Sequence, residues 1–596
     1  MNLTSAPVYQ TTSPLGPNEF RLLHVHPAPS LTSPLVAHLS VARCDPGTGT
    51  SSTPYDALSY RWGDPGDLVT ILVNGTQVGI TRSLDSALRH LRTGEEVVVI
   101  WTDALYIAQS HRAERSAQIG LMGGIYRAAR VVRMYLGEAG TNTSAAMRLV
   151  EECAGLGNEA LVKERVLRDG DGAAGLVEVL GREYWTRVWM FQEVLLARRA
   201  VVHCGGYSAP WRGFKILERV ADGNEELRAA LRVVARFAVP AREVKDVESL
   251  VVATRGLGAS VAAEKVYALA GLCDLEKYFE IEDMKTTREV YVEFARGVYR
   301  RHGLGLMAGA GRWDSRIGGD VGLPSWTPDF RGVFGVDLVL AAAAHVEVFD
   351  ATKGRVFSGS SSSSGEGVLE VEGVIVDTVQ INVTFGKGEE GRRRILESFN
   401  PRRLPRSPSG TTRLQAICDA LVMNTDPDGR NKLPDGRSLN RLRLLGLIRQ
   451  GEFLLGDEFP KAGDEPDVVS FLGSDAQVLK DVAEEYLGLC RSDPTSFDAY
   501  RDIFTRSFDG RASSSASLFT TESGYVGRGI RDVQPEDVVA VLFGSRTPVV
   551  LRSVGAGSKY MFVSACYVGG LMFGELMDQL DVEGARGVKV ERLSLV

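Results

Sequence analysis

Trp189 and Glu193, four residues apart in Trp189-Met190-Phe191-Gln192-Glu193, fall on one face of a helix, where an indole ring could wall a pocket around a carboxylate. A carboxylate so placed could stabilise positive charge developing on a bound ligand; on an open helix face it would be a solvated surface group. A second polar cluster ends the stretch Tyr55-Asp56-Ala57-Leu58-Ser59-Tyr60-Arg61-Trp62-Gly63-Asp64-Pro65. Arg61 could grip a phosphate through two guanidinium nitrogens, or with Trp62 could hold its loop by stacking and hydrogen bonds. Gly63-Asp64-Pro65 is turn chemistry. Asp103, just past an apolar run, either lines a site at a strand end or caps the next turn. Glu114 and Arg115, near a helix start, read as a solvated pair.

Other chemistry is sparsely signalled. No Walker A, HExxH or GxSxG pattern occurs, and Gly303-Leu304-Gly305 follows a helical stretch rather than a strand, so it is no dinucleotide fingerprint. His24-x-His26 reads as an exposed strand face rather than a metal pair. Arg392 to Arg394 with Arg402, Arg403 and Arg406 read as solvated surface ahead of a polyanion patch.

Positioning such groups needs a scaffold, and the first 205 residues alternate short apolar runs with helical patterns, the sequence form of an α/β layer structure. Strands are expected at Phe20 to His26, Val36 to Arg43, 55–60, Val97 to Trp101 and Val131 to Leu136. The last two are apolar, apart from Arg133 in the second, as buried parallel strands are. Helices are expected at Leu84 to Leu91 and around Ile119, Met122, Ile125, Tyr126 and Ala129, with Ser110 a candidate cap. The order strand, helix, strand, helix, strand predicts a parallel sheet. Beyond Gly206 the pattern turns helical, at Trp211 to Ala221, Glu225 to Phe237, Val247 to Gly256, Ala262 to Leu272 and Thr287 to His302. Ser358 to Ser364, Asn400 to Thr412, Gly456 to Asp467 and Ser513 to Ser517 read as loops or linkers. Strands return at Val538 to Phe543, Val549 to Val554 and Tyr560 to Tyr567, with Val368 to Val376 able to add another.

A chain of 596 residues exceeds one core and predicts several domains. A net charge of −7 offers no overall attraction to nucleic acid or anionic membrane. The seven cysteines are scattered without a CxxC pair, which signals neither a disulfide framework nor a zinc site. They read as reduced thiols. With no basic-apolar leader pattern and no run long enough to span a bilayer, a cytoplasmic location is expected.

Three blocks, Tyr55 to Pro65, Ile100 to Gly137 and Tyr184 to Gly206, occur in one order and together resemble the heterokaryon-incompatibility (HET) domain of filamentous fungi. Glu264 to Leu272 and Leu323 to Phe330 are similar to segments that follow that domain, and 515–580 to the C-terminal part of full-length HET proteins. The resemblance implies non-self recognition linked to programmed cell death, a fungal form of innate immunity, and a distant kinship with the TIR fold. It implies an α/β fold with a TIR-like parallel sheet flanked by helices over 15–206, a helical region over 207–335, a mixed region with long loops over 336–515, and a β-rich module over 516–596. By the TIR analogy, Glu193 would be the catalytic carboxylate of an NAD glycohydrolase. Ser59, Tyr60, Arg61, Trp62, Asp103 and Trp189 would bind substrate; NAD would be substrate rather than cofactor, and no metal is implied. The alternative is a non-catalytic self-association or regulatory module. A homo-oligomer or another incompatibility protein is the implied partner. Two segments depart from the family pattern. Tyr106 and Ala108 replace its Cys and Asn, while Gly569 and Phe573 replace its His and Asp, so a site supported by either would be weakened.

Overall fold

The computed structural model describes residues 15–45, 47–103, 112–220, 225–237, 246–281, 285–311, 322–331, 349–357, 367–386, 388–399, 407–408, 413–423, 454, 516–530, 532–555, 557–581 and 589–596. Ser110, Ala108, the Ser358 to Ser364 tract and the Gly456 to Asp467 loop fall outside them. The chain forms two compact units, residues 1–290 and 291–596.

The first unit is built on one sheet. Its strands are β1 (Glu19–Val25), β2 (Val36–Asp45), β3 (Thr50–Ser51), β4 (Asp56–Tyr60), β5 (Leu68–Val73), β6 (Thr76–Thr81), β7 (Val98–Trp101), β8 (Val132–Tyr135), β9 (Ala200–Cys204) and β10 (Tyr207–Pro210). They run in the order β10-β9-β8-β4-β7-β1-β2-β5-β6, with β3 beside β2. The apolar runs expected to be near-neighbouring parallel strands are β7 and β8, and each pairs in parallel with β4, which lies between them. All five residues of β4 are buried, so both its faces are covered. The crossovers are helical: Arg82–Leu91 leads into β7 and Arg112–Ala128 into β8.

A wholly parallel sheet, however, is not what forms. β9, β8, β4 and β7 make a parallel block and β2 pairs β5 in parallel, but β1 joins β7 antiparallel, β2 joins β1 antiparallel, and β5 and β6 make an antiparallel hairpin. The reason is local. Asn74 and Gly75 both take positive φ, 52° and 76°, which is the two-residue turn whose twist matches an antiparallel pair. Antiparallel strands can also leave one face wet, and β2 alternates buried and exposed positions accordingly.

After β4 the chain forms the β5–β6 hairpin and the Arg82–Leu91 helix, enters β7 on one side of β4, and then crosses to β8 on the other. Where connections from two neighbouring parallel strands run in opposite directions, as from β4 towards β7 and from β8 towards β9, a crevice opens at the carboxyl ends of the strands, the usual ligand position in open α/β sheets. The helical segments Trp211–Val220, Glu225–Ala235, Val247–Thr254 and Glu264–Tyr267 follow the sheet in the chain.

The second unit holds an eight-stranded sheet of β11 (Leu369–Thr384), β12 (Ala516–Thr521), β13 (Val526–Ile530), β14 (Val538–Leu542), β15 (Val549–Ser553), β16 (Lys559–Ala565), β17 (Tyr567–Val568) and β18 (Val590–Leu595). The pairings β14-β15-β16-β18-β11 return to β14, so five strands close a ring. Sixteen residues long, β11 belongs to the ring through its first half and pairs β12 through its second. Gly373 permits this, since a Cβ there would lie 2.6 Å from the Val541 carbonyl oxygen. Phe519, Val541, Val550, Val563 and Met577 fill the core.

Close packing also explains the glycines of the Arg112–Ala128 helix. A Cβ on Gly123 would lie 2.4 Å from Gly271 Cα, whereas one on Gly120 would meet nothing within 4 Å. Gly123→Ala is therefore expected to destabilise the unit by about 1–3 kcal/mol. Gly120→Ala should stabilise it by about 0.5–1 kcal/mol through helix propensity alone. Denaturant midpoints of the two variants check this, and equal shifts would contradict the packing.

Candidate active site

The carboxyl ends of β4 and β7 open into a cleft of ≈ 290 Å³ lined by Arg61, Trp62, Gly63, Asp103, Arg115, Ile119, Met122, Thr186, Arg187, Trp189, Gly258, Ala259, Ser260 and Glu264. Two tryptophans and three arginines share this wall with two acids. The three sequence blocks are joined here by hydrogen bonds. Trp62 Nε1 donates to Asp103 Oδ2 at 2.8 Å, tying the end of β4 to the end of β7. Arg187 Nη1 donates to the Tyr60 carbonyl, tying the third block to the first. Tyr55 donates from its hydroxyl to the Ile125 carbonyl at 2.5 Å, fixing the Arg112–Ala128 helix against β4.

Glu193 is the densest point of the network. It sits in the short Trp189–Leu195 helix with 1% of its surface exposed, and it accepts a hydrogen bond from Ser59 Oγ of β4. Ser59 Oγ also lies 2.5 Å from the Tyr184 hydroxyl. Burial pushes the Glu193 carboxyl up to about 7; the Arg187 guanidinium and the Ser59 hydrogen bond pull the other way without overcoming it. For Arg187 the balance is reversed. Burial would lower it, but the charges of Glu193 and Asp103 hold it above its ordinary value. Desolvation raises Tyr60, Tyr126 and Tyr184, which keeps all three phenols protonated around the carboxyl.

The far wall is held by a buried lysine. Lys265 Nζ donates to the carbonyls of Thr254 at 3.2 Å and Arg255 at 3.1 Å, and also to that of Leu257. An ammonium at the end of the Val247–Thr254 helix satisfies carbonyls that the helix leaves open. Burial lowers this lysine to about 8. The segment it pins continues into Gly258, which donates to Thr186 O at 2.5 Å and accepts from Val188 N at 2.8 Å. Arg187 is thus gripped from both sides.

Of the residues singled out in the sequence, Arg61, Trp62, Asp103 and Trp189 line the cleft together. Ser59, Tyr60 and Glu193 lie beneath it, buried. Arg61 is about half exposed and ion-paired to Glu183. Asp56 stands at the opposite end of β4, where Arg133 and Arg130 neutralise it at 2.7 Å and 3.2 Å. Glu114 and Arg115 do not form a solvated pair: Glu114 binds the buried Arg21 at 2.5 Å and Arg115 lines the cleft. Arg187 was overlooked in the sequence. Its position two residues before Trp189, in a block with an internal glutamate, was the available signal. Gly258 to Ser260 carry no chemical signal of their own.

Fold and cleft define an α/β unit with a ligand crevice at its strand ends, in a chain that also carries a closed five-stranded β-ring. Residues 55–193 match the family described as Heterokaryon incompatibility protein (HET), and residues 506–584 match the Het-6 beta-barrel domain. Two separate segments of the chain thus match families named for heterokaryon incompatibility. It is similar to "Heterokaryon incompatibility protein 6, OR allele" of Neurospora crassa, at 24% identity covering 94% of this chain and 95% of that protein. No solved structure matches it.

The raised Glu193 carboxyl has a consequence for stability. Because its folded value of about 7 exceeds the ordinary 4.5, the folded state binds the extra proton between those limits. The contribution is fully present below 4.5 and is lost as pH rises through 7. Glu193→Gln, which imitates the neutral form, should flatten the decline, so that wild type loses thermal stability relative to the variant from pH 5 to about pH 8. Thermal melts across that range test this, and parallel curves for the two proteins would contradict it.

Proposed function

We propose that this chain acts in heterokaryon incompatibility, as the name of its Neurospora relative says of that protein, and that its HET domain is a divergent TIR-like NAD glycohydrolase. The observation that carries the chemical part is the pairing of the cleft with the carboxyl beneath it. Arg61 and Arg115 suit a pyrophosphate, and Trp62 and Trp189 offer ring faces to a base. Glu193 supplies a carboxylate for the oxocarbenium-like state through which a nicotinamide–ribose bond breaks. Arg187 would have to swing aside for a ribose to reach Glu193. Release of nicotinamide would deplete NAD and promote cell death.

A second reading has its own observation. Glu193 is hydrogen-bonded to Ser59 and does not line the cleft, which suits a domain that binds a ligand or another copy of itself without cutting anything. On that reading the partner is a second copy of the chain or another incompatibility protein.

Incubation with NAD separates the two. Catalysis predicts nicotinamide release by wild type that falls roughly a hundredfold in Glu193→Gln, the scale of losing one electrostatic stabiliser, while NAD binding stays nearly unchanged. Robust cleavage by the Gln variant would remove Glu193 from the mechanism. No release by wild type under assembling conditions would select the non-catalytic reading.

A further inference from the structure

The exposed strand face expected around His24-x-His26 exists, and β2 adds a third imidazole to it. His24 and His38 are direct partners across the antiparallel β1–β2 pair. His26, two residues on from His24, therefore projects from the same face. Three of the chain's eight histidines meet here. His26 Nε2 lies 3.0 Å from His38 Nδ1, and the His24 and His38 rings stack with centroids 4.4 Å apart. His26 and His38 are exposed and His24 is partly so.

We propose that His24, His26 and His38 form a binding site for a divalent transition-metal ion on the outer face of the β1–β2 pair. Two imidazole nitrogens facing each other at this distance have room for one proton at best between them, so at least one lone pair is directed into that space. With metal–nitrogen bonds of about 2.0–2.1 Å, nitrogens 3.0 Å apart subtend an angle of about 94° at a shared ion. That is close to the right angle of tetragonal Ni²⁺ or Cu²⁺ sites. A tetrahedral Zn²⁺ asks for a separation of about 3.3 Å, within reach of a small ring rotation.

His24 is the adaptable member. Its Nε2 is now 2.8 Å from Ser40 Oγ, and among the described residues no three metal-ligating side chains already converge on a point. Turning the ring from Ser40 toward His38 would supply a third nitrogen, in the arrangement of two alternate residues on one strand and a third from its neighbour. An ion here would clip β1 to β2.

The test uses the tag-free full-length chain, stripped with chelator and titrated with Ni²⁺ and separately with Zn²⁺ by calorimetry. One ion per chain should bind at micromolar or lower concentration, with Ni²⁺ the tighter. His26→Gln and His38→Gln should each weaken binding by roughly tenfold or more, His24→Gln by less, and His90→Gln not at all. Ni²⁺ should raise the thermal midpoint of wild type but not that of the His26→Gln/His38→Gln double variant, whose circular dichroism should match wild type. Binding no tighter than millimolar, or wild-type affinity in the double variant, would overturn the site.

Discussion

A carboxyl group buried to 1% exposure inside an α/β unit is the constraint around which the N-terminal architecture is arranged. Leaving Glu193 unsatisfied would cost several kcal/mol, so the fold must bring it donors. They come from separate parts of the chain. Ser59 of β4 and Tyr126 of the Arg112–Ala128 helix hydrogen-bond it, and Arg187, in the turn that enters the glutamate's own helix, adds a neighbouring positive charge. Tyr184 reaches the group through Ser59. Because Arg187 in turn holds the Tyr60 carbonyl and lines the cleft, the buried network and the ligand crevice are one structure. Lys265 extends that dependence outward by pinning the segment that grips the backbone around Arg187.

The parallel centre of the sheet was legible because β7 is an uninterrupted apolar run and β8 is one broken only by Arg133, with a helix between them, the pattern of strands covered on both faces. The antiparallel flank was legible in part. Strands β1 and β2 were placed, but their pairing direction is set by connections that the apolar pattern does not encode. The β5–β6 hairpin had a plain signal in Asn74-Gly75 that went unread. The helices Thr143–Gly155, Glu159–Leu167 and Gly170–Leu180 were also unplaced, and two of them carry helix-capping signals, Asn158 and Asp169. In the second unit the closed ring could not be read from the strands alone, since it depends on one long strand that changes partners halfway along.

For the site, residue type and block order located Arg61, Trp62, Asp103 and Trp189, which do share a cleft. Depth was not legible. The four-residue spacing of Trp189 and Glu193 suggested one face and one pocket, but a short helix crossing behind a strand end can send one residue into the cleft and another into the sheet's core. Nothing in one sequence distinguishes these. Arg115 and Arg187 were hidden for the opposite reason: charged residues are usually solvated, and only the fold shows which ones a crevice encloses.

The central claim is that burial outweighs Arg187 and Ser59, so that Glu193 exchanges its proton near neutrality. The direct measurement is the side-chain carboxyl resonance of Glu193 in carbon-13-labelled protein, assigned by its absence in Glu193→Gln and followed with pH. A midpoint near 7, well above the ordinary 4.5, is the predicted result. A midpoint at or below 4.5 would show that the Arg187 charge and the hydrogen bonds dominate, and would contradict the account.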